Sequence, residues 1–360
     1  VPSPLLLAID GNSLLHRAHH AMEQSDLRDS EGRPIWALKG LVSFIATAAA
    51  RLTPDALVIG FDSPGDSVRK VDFPEYKAHR AEKHPDLRLQ LDDAPGLLTA
   101  AGFTVVVPKG YEADDVLATS ASVARKHGWR TAVVTSDRDS FSLIDEGTSV
   151  LRVLNGGIDG SPLLTPDKMS AVCGVRAEQY RDYAALRGDT SDNLPGALGI
   201  GAKTAAKLLS VFAGVDDAFA AIDGDRREEV EAVIGKAATA KLETDEARAN
   251  VARNQRLMTM RHDLRLPALA KMQLPLDPAV IQTALSGRDI RLGPSLWALT
   301  GAEPPSWYGE RVYGEGPRLE GGARPEPGSV PHRIITMPKP LTSAGRKAAA
   351  LAEAGQLNLF

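Results

Sequence analysis

Three short apolar runs, each closing on an aspartate, constrain the possible folds of this chain more than any other feature. They are PLLLAID (Pro4 to Asp10), ALVIGFD (Ala56 to Asp62) and TAVVTSD (Thr131 to Asp137); TVVVP (Thr104 to Pro108) is a fourth run without the acid. Continuous apolar runs of this length read as strands buried on both faces. Roughly a dozen or more residues of helical character separate them, so the expected class is α/β, with a mostly parallel central sheet and flanking helices. In such open sheets ligands gather beyond the carboxyl ends of the strands. Three carboxylates are therefore expected where chemistry would be done.

With 43% hydrophobic and 24% charged residues, the 360-residue chain has globular composition, which excludes collagen-like, coiled-coil and wholly disordered proteins. Its length suggests one or two domains. The longest apolar run, Leu41 to Ala50, is far short of the ~20 residues a bilayer span needs, so no membrane partner is expected. Asp10 interrupts the first apolar run and no basic segment precedes it, which argues against a secretory signal. The single cysteine, Cys173, has no partner in the chain; it fits a reducing cytosol and reads as a small buried residue. From about Pro166 the pattern turns helical. The expected organisation is an α/β domain over 1–165, a helical lobe over 166–302, a flexible Pro/Gly linker over 303–342 and a tail over 343–360.

Nine acids sit at strand ends or in tight clusters: Asp10, Asp62, Glu112, Asp114, Asp115, Asp137, Asp139, Asp189 and Asp192. YEADD places Glu112 and Asp115 three apart at a helix start, where the partial positive end tolerates anions. TSDRDS puts Asp137 and Asp139 on one side if the segment is extended. GDTSDN puts Asp189 and Asp192 three apart where a helix gives way to a loop. Any one of these could be a cap or a solvated turn residue. Converging at several strand ends they would repel, and hard divalent cations are the natural compensation. Oxygen-only donors point to Mg2+ or Mn2+, two or more ions, as used in phosphodiester cleavage. HRAHH offers His16 and His20 at i, i+4, but no third or fourth ligand is evident, so a surface or phosphate-facing role is expected there.

Between Asp62 and the next strand lies SPGDSVRKVDFPEYKAHRAEKHPDLR, a polar stretch with six Lys/Arg. Its weak apolar content predicts a mobile insertion at about 63–92 in place of a core element. Basic residues interleaved with Phe73 and Tyr76 suit a phosphate backbone and splayed bases; an ordinary solvated loop is the alternative. GALGIGAKTAAKLL (Gly196 to Leu209) narrowly misses a Walker A loop, because Ala202 stands where glycine is required, and misses a dinucleotide fingerprint at Thr204. What remains is a Gly-x-Gly turn opening a helix, whose amides, helped by Lys203 and Lys207, would clamp phosphates without reading sequence. The net charge of −4 does not exclude a polyanionic substrate, since setting aside the nine acids leaves +5.

DGNSLLHRA, GFD, FPEYKAHR, GYEADDVLAT, TSDRDSF and GDTSDNLPGALGIGAKTAAKLL together resemble the 5′-nuclease, or flap endonuclease, superfamily, in order over about Leu5 to Thr300. The nearest likeness is to bacterial 5′-nuclease domains and stand-alone 5′-exonucleases. With no polymerase segment following, a free-standing member is expected. The resemblance implies a PIN-like fold with a helical arch and a helix–hairpin–helix. It implies a first metal on Asp10, Asp62, Glu112 and Asp114, and a second on Asp137, Asp139 and Asp192, with Asp114 between them. Asp115 and Asp189 would sit in an outer shell or third-ion site. Lys77 and Arg80 would face the scissile phosphate, with Arg17 beside the first aspartate, although its flanking histidines depart from the family's usual aromatic. The hairpin residues Gly196, Gly199, Ile200, Gly201, Lys203, Thr204 and Lys207 would grip duplex backbone, often with a K+ ion, and Tyr76 would contact DNA.

The implied activity is two-metal hydrolysis of DNA at 5′ ends and 5′ flaps in replication and repair, by a monomer. The alternative is a non-catalytic DNA binder that recruits replication proteins. All nine acidic positions are filled, which disfavours an inactive homologue. The terminal QLNLF resembles the peptide by which bacterial replication enzymes dock on the sliding clamp, with Gln356 polar and Leu357, Leu359 and Phe360 apolar.

Overall fold

The computed structural model describes residues 3–306 and residue 308. Strands β1 (Leu5–Asp10), β2 (Ala56–Gly60), β3 (Thr104–Val106), β4 (Arg130–Thr135), β5 (Thr148–Arg152) and β6 (Leu163–Leu164) form one sheet in the order β3-β2-β1-β4-β5-β6. All neighbours are parallel except β5 and β6. From β1 the chain moves outward to β2 and β3, then crosses back to β4 on the other side. That reversal opens a crevice at the carboxyl ends of β1 and β4. β2 and β4 stop at Gly60 and Thr135, so Asp62 and Asp137 lie in the turns just past them. The strands β5 and β6 were not anticipated; they are short and polar in part, and they close one edge.

The two-residue period of the strands divides the core cleanly. Leu6, Ala8, Ala56, Val58, Val133 and Val150 face one side; Leu7, Ile9, Leu57, Ile59, Val134 and Leu151 face the other. The first side packs on α5 (Ala113–Lys126) and the helical lobe, which runs from α6 (Pro166–Cys173) and α7 (Tyr180–Arg187) through α8 (Ala202–Val211) to α12 (Asp245–Leu257). The second packs on α1 (Gly11–Met22), α2 (Trp36–Leu52) and α4 (Pro85–Ala100). Cys173 is half-buried against the first side. Among the described residues no helix is long and apolar enough to cross a membrane.

Three expectations about organisation are corrected. The helical lobe does not run to 302, because the chain returns to the sheet layer soon after α12. The Leu57 N–H donates to the Met272 carbonyl at 2.8 Å and the Leu274 N–H to the Asp55 carbonyl at 2.9 Å. Then α13 (Pro278–Ser286) buries Ile281 and Leu285 in the second core, against α4. Helical periodicity alone could not tell which core that face would cover. The segment expected to be linker from 303 is anchored as far as Tyr308, whose hydroxyl donates to the Ala50 carbonyl at 2.7 Å. The remaining linker, the tail and QLNLF lie outside the described residues.

The third correction concerns the insertion at 63–92. It contains α3 (Val68–Asp72), a series of turns and the first half of α4, and it has a small core of its own. Tyr76 is buried with Leu194 and Leu257, with Phe73 and Met258 packed alongside. Arg69 is buried too, in a two-pronged ion pair with Asp115: Nη1 and Nη2 each donate to a carboxylate oxygen at 2.7 Å. Its Nε donates to the Leu257 carbonyl at 2.7 Å. One guanidinium thus ties α3 to α5 and to the end of α12.

Arg69→Ala should cost about 3–5 kcal/mol, because it strands a fully buried carboxylate without its partner. Urea unfolding would measure this, and a loss below about 1 kcal/mol would mean Asp115 finds another partner.

Candidate active site: a carboxylate cluster at the strand ends

Asp10 ends β1 and caps α1. Its Oδ1 accepts the Ser13 N–H at 2.9 Å, and its Oδ2 accepts the Thr135 hydroxyl at 2.7 Å. Asp62 is held from two sides: the Ala113 N–H donates to Oδ1 and the Asn12 side-chain amide to Oδ2, both at 2.9 Å. The Asp62 N–H returns a bond to Asn12 Oδ1. Glu112 caps α5 in a capping box with Asp115, and its carboxylate accepts from Ser67, Tyr76 and Lys77 at 2.9, 3.2 and 3.0 Å. Asp137 and Asp139 are not on an extended segment. The chain turns into a single 3-10 turn (Asp139–Leu143), and Asp137 Oδ1 accepts the Asp139 N–H at 3.0 Å.

Asp189 and Asp192 flank the turn between β7 (Gly188–Asp189) and β8 (Leu194–Pro195), just after α7 ends. Asp189 accepts the Ser191 N–H and hydroxyl, while Asp192 accepts Arg80 Nη2 at 2.6 Å. This turn and the insertion are stitched together. The Lys77 N–H donates to the Asp192 carbonyl and the Asn193 amide to the Glu75 carbonyl, at 3.0 and 2.8 Å. Both Lys77 (φ 58°) and Asn193 (φ 57°) sit in the left-handed region, a strain that non-glycine residues hold only when their surroundings enforce it.

The electrostatics mark the cluster as short of positive charge. Burial, with added repulsion from Asp62 and Asp137, pushes the Asp10 carboxyl up to about 7, despite its two hydrogen bonds. Burial and then neighbouring carboxylates hold Asp114 and Asp139 well above the usual carboxylate range. Burial would lower the Lys77 ammonium, but Asp192 and Glu112 outweigh it and hold it above its ordinary value. Among the described residues, no three of these carboxylates bring ligand oxygens within 4.8 Å of one another. An open, all-oxygen set suits hard ions that keep part of their water, as Mg2+ does.

The predicted residues do not all converge. Asp115 is spent on structure: besides Arg69, its oxygens accept the Glu112 N–H and the Arg261 N–H at 3.1 and 2.8 Å. Arg69 overcomes the effect of burial and holds this one carboxyl below its ordinary range. Tyr76 is packed inside with its hydroxyl on Glu112, so it offers no stacking face to a base. Arg17, on α1, donates from Nη2 to Asn155 Oδ1 at 2.8 Å.

In the hairpin, Gly199, Gly201, Lys203 and Lys207 are exposed, Thr204 is half-buried and Ile200 is buried. Gly196 serves a close backbone crossing, since a Cβ there would stand 2.3 Å from the Leu186 carbonyl oxygen. The hairpin opens α8 as expected, but β7 and β8 stand between it and α7. Asn12, Ser67, Arg69 and Thr135 were missed. Asn12 could have been suspected from its place in DGNS; a buried arginine in a polar stretch carries no such signal.

Two family models cover residues 5–174, described as the 5′-3′ exonuclease N-terminal resolvase-like domain, and residues 175–278, its C-terminal SAM fold. DNA polymerase I of Mycobacterium bovis is 34% identical over 263 residues, 73% of this chain and 28% of that protein. The thermostable DNA polymerase I of Thermus thermophilus is 36% identical over 229 residues, 64% of this chain and 26% of that one. The chain therefore spans about a quarter of the length of these relatives. Among solved structures, bacteriophage T5 5′-exonuclease with divalent metal ions (zinc) bound aligns with a TM-score of 0.56 at 19% identity, covering 82% of this chain and 97% of that one. A T5 flap endonuclease in a pseudo-enzyme–product complex with DNA and metal ions gives 0.55 at 21% identity, covering 79% and 94%. These neighbours share the fold, a mostly parallel sheet with flanking helices and a helical second region. The two contiguous family matches span most of the described residues, and the chain belongs to the 5′-3′ exonuclease family.

Proposed function

We propose that this chain is a metal-dependent nuclease that hydrolyses DNA at 5′ ends and 5′ flaps, in replication and repair. The observation that carries this reading is the set of carboxylates gathered at the strand ends, where burial and then mutual repulsion hold Asp10, Asp114 and Asp139 above the ordinary carboxylate range, with Lys77 and Arg80 paired into the same cluster. Asp10, Asp62, Glu112 and Asp114 would hold one divalent ion, Mg2+ or Mn2+, and Asp137, Asp139 and Asp192 a second. Asp189 would act from outside, and Asp115 only through Glu112. When bound, such ions supply an activated water and stabilise the leaving oxygen. A protein that merely bound DNA would gain nothing by gathering acids where phosphate must lie, which disfavours the non-catalytic alternative.

The chain's own groups do the positioning. Lys77 and Arg80, paired with Glu112 and Asp192, would turn to meet an incoming phosphate. On the other side, the exposed amides at the start of α8, with Lys203 and Lys207, grip duplex backbone, and hairpin carbonyls would take a K+ ion. Gln356, Leu357, Leu359 and Phe360 would tether the enzyme to a sliding clamp, raising its effective concentration at flaps. The protein would act as a monomer.

A 5′-labelled flap duplex should release short products with Mg2+ or Mn2+ and none with EDTA; no metal-dependent release would overturn the nuclease reading. Asp137→Ala should abolish cleavage and keep flap binding within about threefold, since it removes a metal ligand and some repulsion together. Lys77→Ala should slow single-turnover cleavage by ~10²–10³. A pure loss of affinity at unchanged rate would reassign Lys77 to binding. Lys203→Ala with Lys207→Ala should instead weaken duplex affinity and flatten its dependence on salt, read by titration at several ionic strengths. Deleting residues 356–360 should leave basal flap cleavage unchanged and remove stimulation by added clamp.

A further inference from the structure

At the far end of α1 from Asp10 lies a second group of ligand-type side chains that the carboxylate cluster does not use. His19, His20 and Glu23 place one ligand atom each within 4.8 Å of one another. His19 is 1% exposed, and neither of its ring nitrogens has a hydrogen-bond partner. A buried imidazole with both nitrogens idle forgoes roughly 1–3 kcal/mol per group, so such atoms call for an explanation. The ring is held in place by Trp36 at 5.4 Å and His84 at 5.8 Å between ring centres. His84 is not counted as a ligand, because its Nδ1 already accepts the Asp86 N–H.

The sequence offered His16 and His20 as a pair without a third ligand. The structure assembles a different set. Glu23 stands four residues after His19 and three after His20, at the first residue past the helix, so the helical turn brings all three to one end. His16 falls outside the group.

We propose that His19, His20 and Glu23 form a binding site for a borderline first-row divalent cation of the Zn2+ class, separate from the carboxylate centre. Two imidazoles and one carboxylate are the donor set such ions prefer, whereas Mg2+ favours oxygen alone. The ligand atoms need only close to about 3.3 Å, the spacing implied by bond lengths of about 2.0–2.1 Å in a tetrahedral site. His20 and Glu23 lie on the solvent side of the buried His19. A cation there also sits at the negative end of the helix dipole. At 1.5 Å per residue it is about 14 Å along α1 from Asp10, too far to share an ion with the carboxylates. The bound ion would pin the end of α1 and the turn after it.

The test uses the full chain, stripped with EDTA and returned to millimolar Mg2+ so that the carboxylate centre is filled. Zn2+ titrated by calorimetry should then bind at one site per chain, and Co2+ in its place should give tetrahedral visible absorption. His20→Ala and Glu23→Gln should each weaken Zn2+ binding at least tenfold and leave Mg2+-dependent cleavage unchanged. Asp137→Ala should leave Zn2+ affinity unchanged. These exposed variants carry the test because His19→Ala would also disturb the packing on Trp36. The proposal is overturned if Mg2+-loaded protein takes up no Zn2+, if both variants bind it as tightly as the parent, or if Asp137→Ala alone removes the site.

Discussion

The buried pair of Arg69 and Asp115 holds together the parts from which the site is made. Asp115 lies in the first turn of α5, three residues from Glu112 and next to Asp114, so its position sets where those two carboxylates stand. Arg69 belongs to the insertion and reaches both Asp115 and the end of α12. The Arg261 N–H closes the group from the segment that leaves the helical lobe. Burying two charges is costly, and a pair of this kind survives only with near-complete hydrogen bonding, which this one has. In return it specifies a single arrangement of α3, α5 and the lobe.

That rigidity bears on the carboxylates, which left to themselves would spread apart. The strand order brings the ends of β1, β2 and β4 side by side, and the backbone amides of α1 and α5 fix Asp10 and Asp62. Burial, and after it repulsion, raises the proton affinity of Asp10, Asp114 and Asp139, while Lys77 and Arg80 pair with Glu112 and Asp192. Added cations relieve that repulsion. The fold therefore stores electrostatic cost at the crevice where its strand order reverses, a common mark of functional sites.

The paired turns at Lys77 and Asn193, each with a positive φ and bonded to the other, join this centre to the helical lobe. They couple the base of the insertion to the Asp189–Asp192 turn, and through β8 to the hairpin that opens α8. Glycine is needed at 196 because the backbone of α7 passes too close for a side chain. The hairpin that opens α8 and the turn that carries Lys77 therefore belong to elements locked to one another.

Much of this was legible in the chain itself. Apolar runs ending in aspartate located β1, β2 and β4 and the edge on which their acids gather, because strand burial and register depend on local pattern. Donor chemistry likewise pointed to hard cations at the carboxylates. What the sequence by itself determined was the strands and the acids at their ends. Tertiary structure alone decided which polar residues are spent on packing: Asp115 on Arg69, Tyr76 on Leu194 and Leu257, and Gly196 on a backbone crossing. It also decided that α13 returns to the sheet, and that His19, whose burial no periodicity announced, is packed against Trp36 and His84. The reason is physical. Polarity and period are properties of a segment, whereas the fate of a buried charge depends on its partner, and for Arg69 those partners lie 46 and 188 residues away.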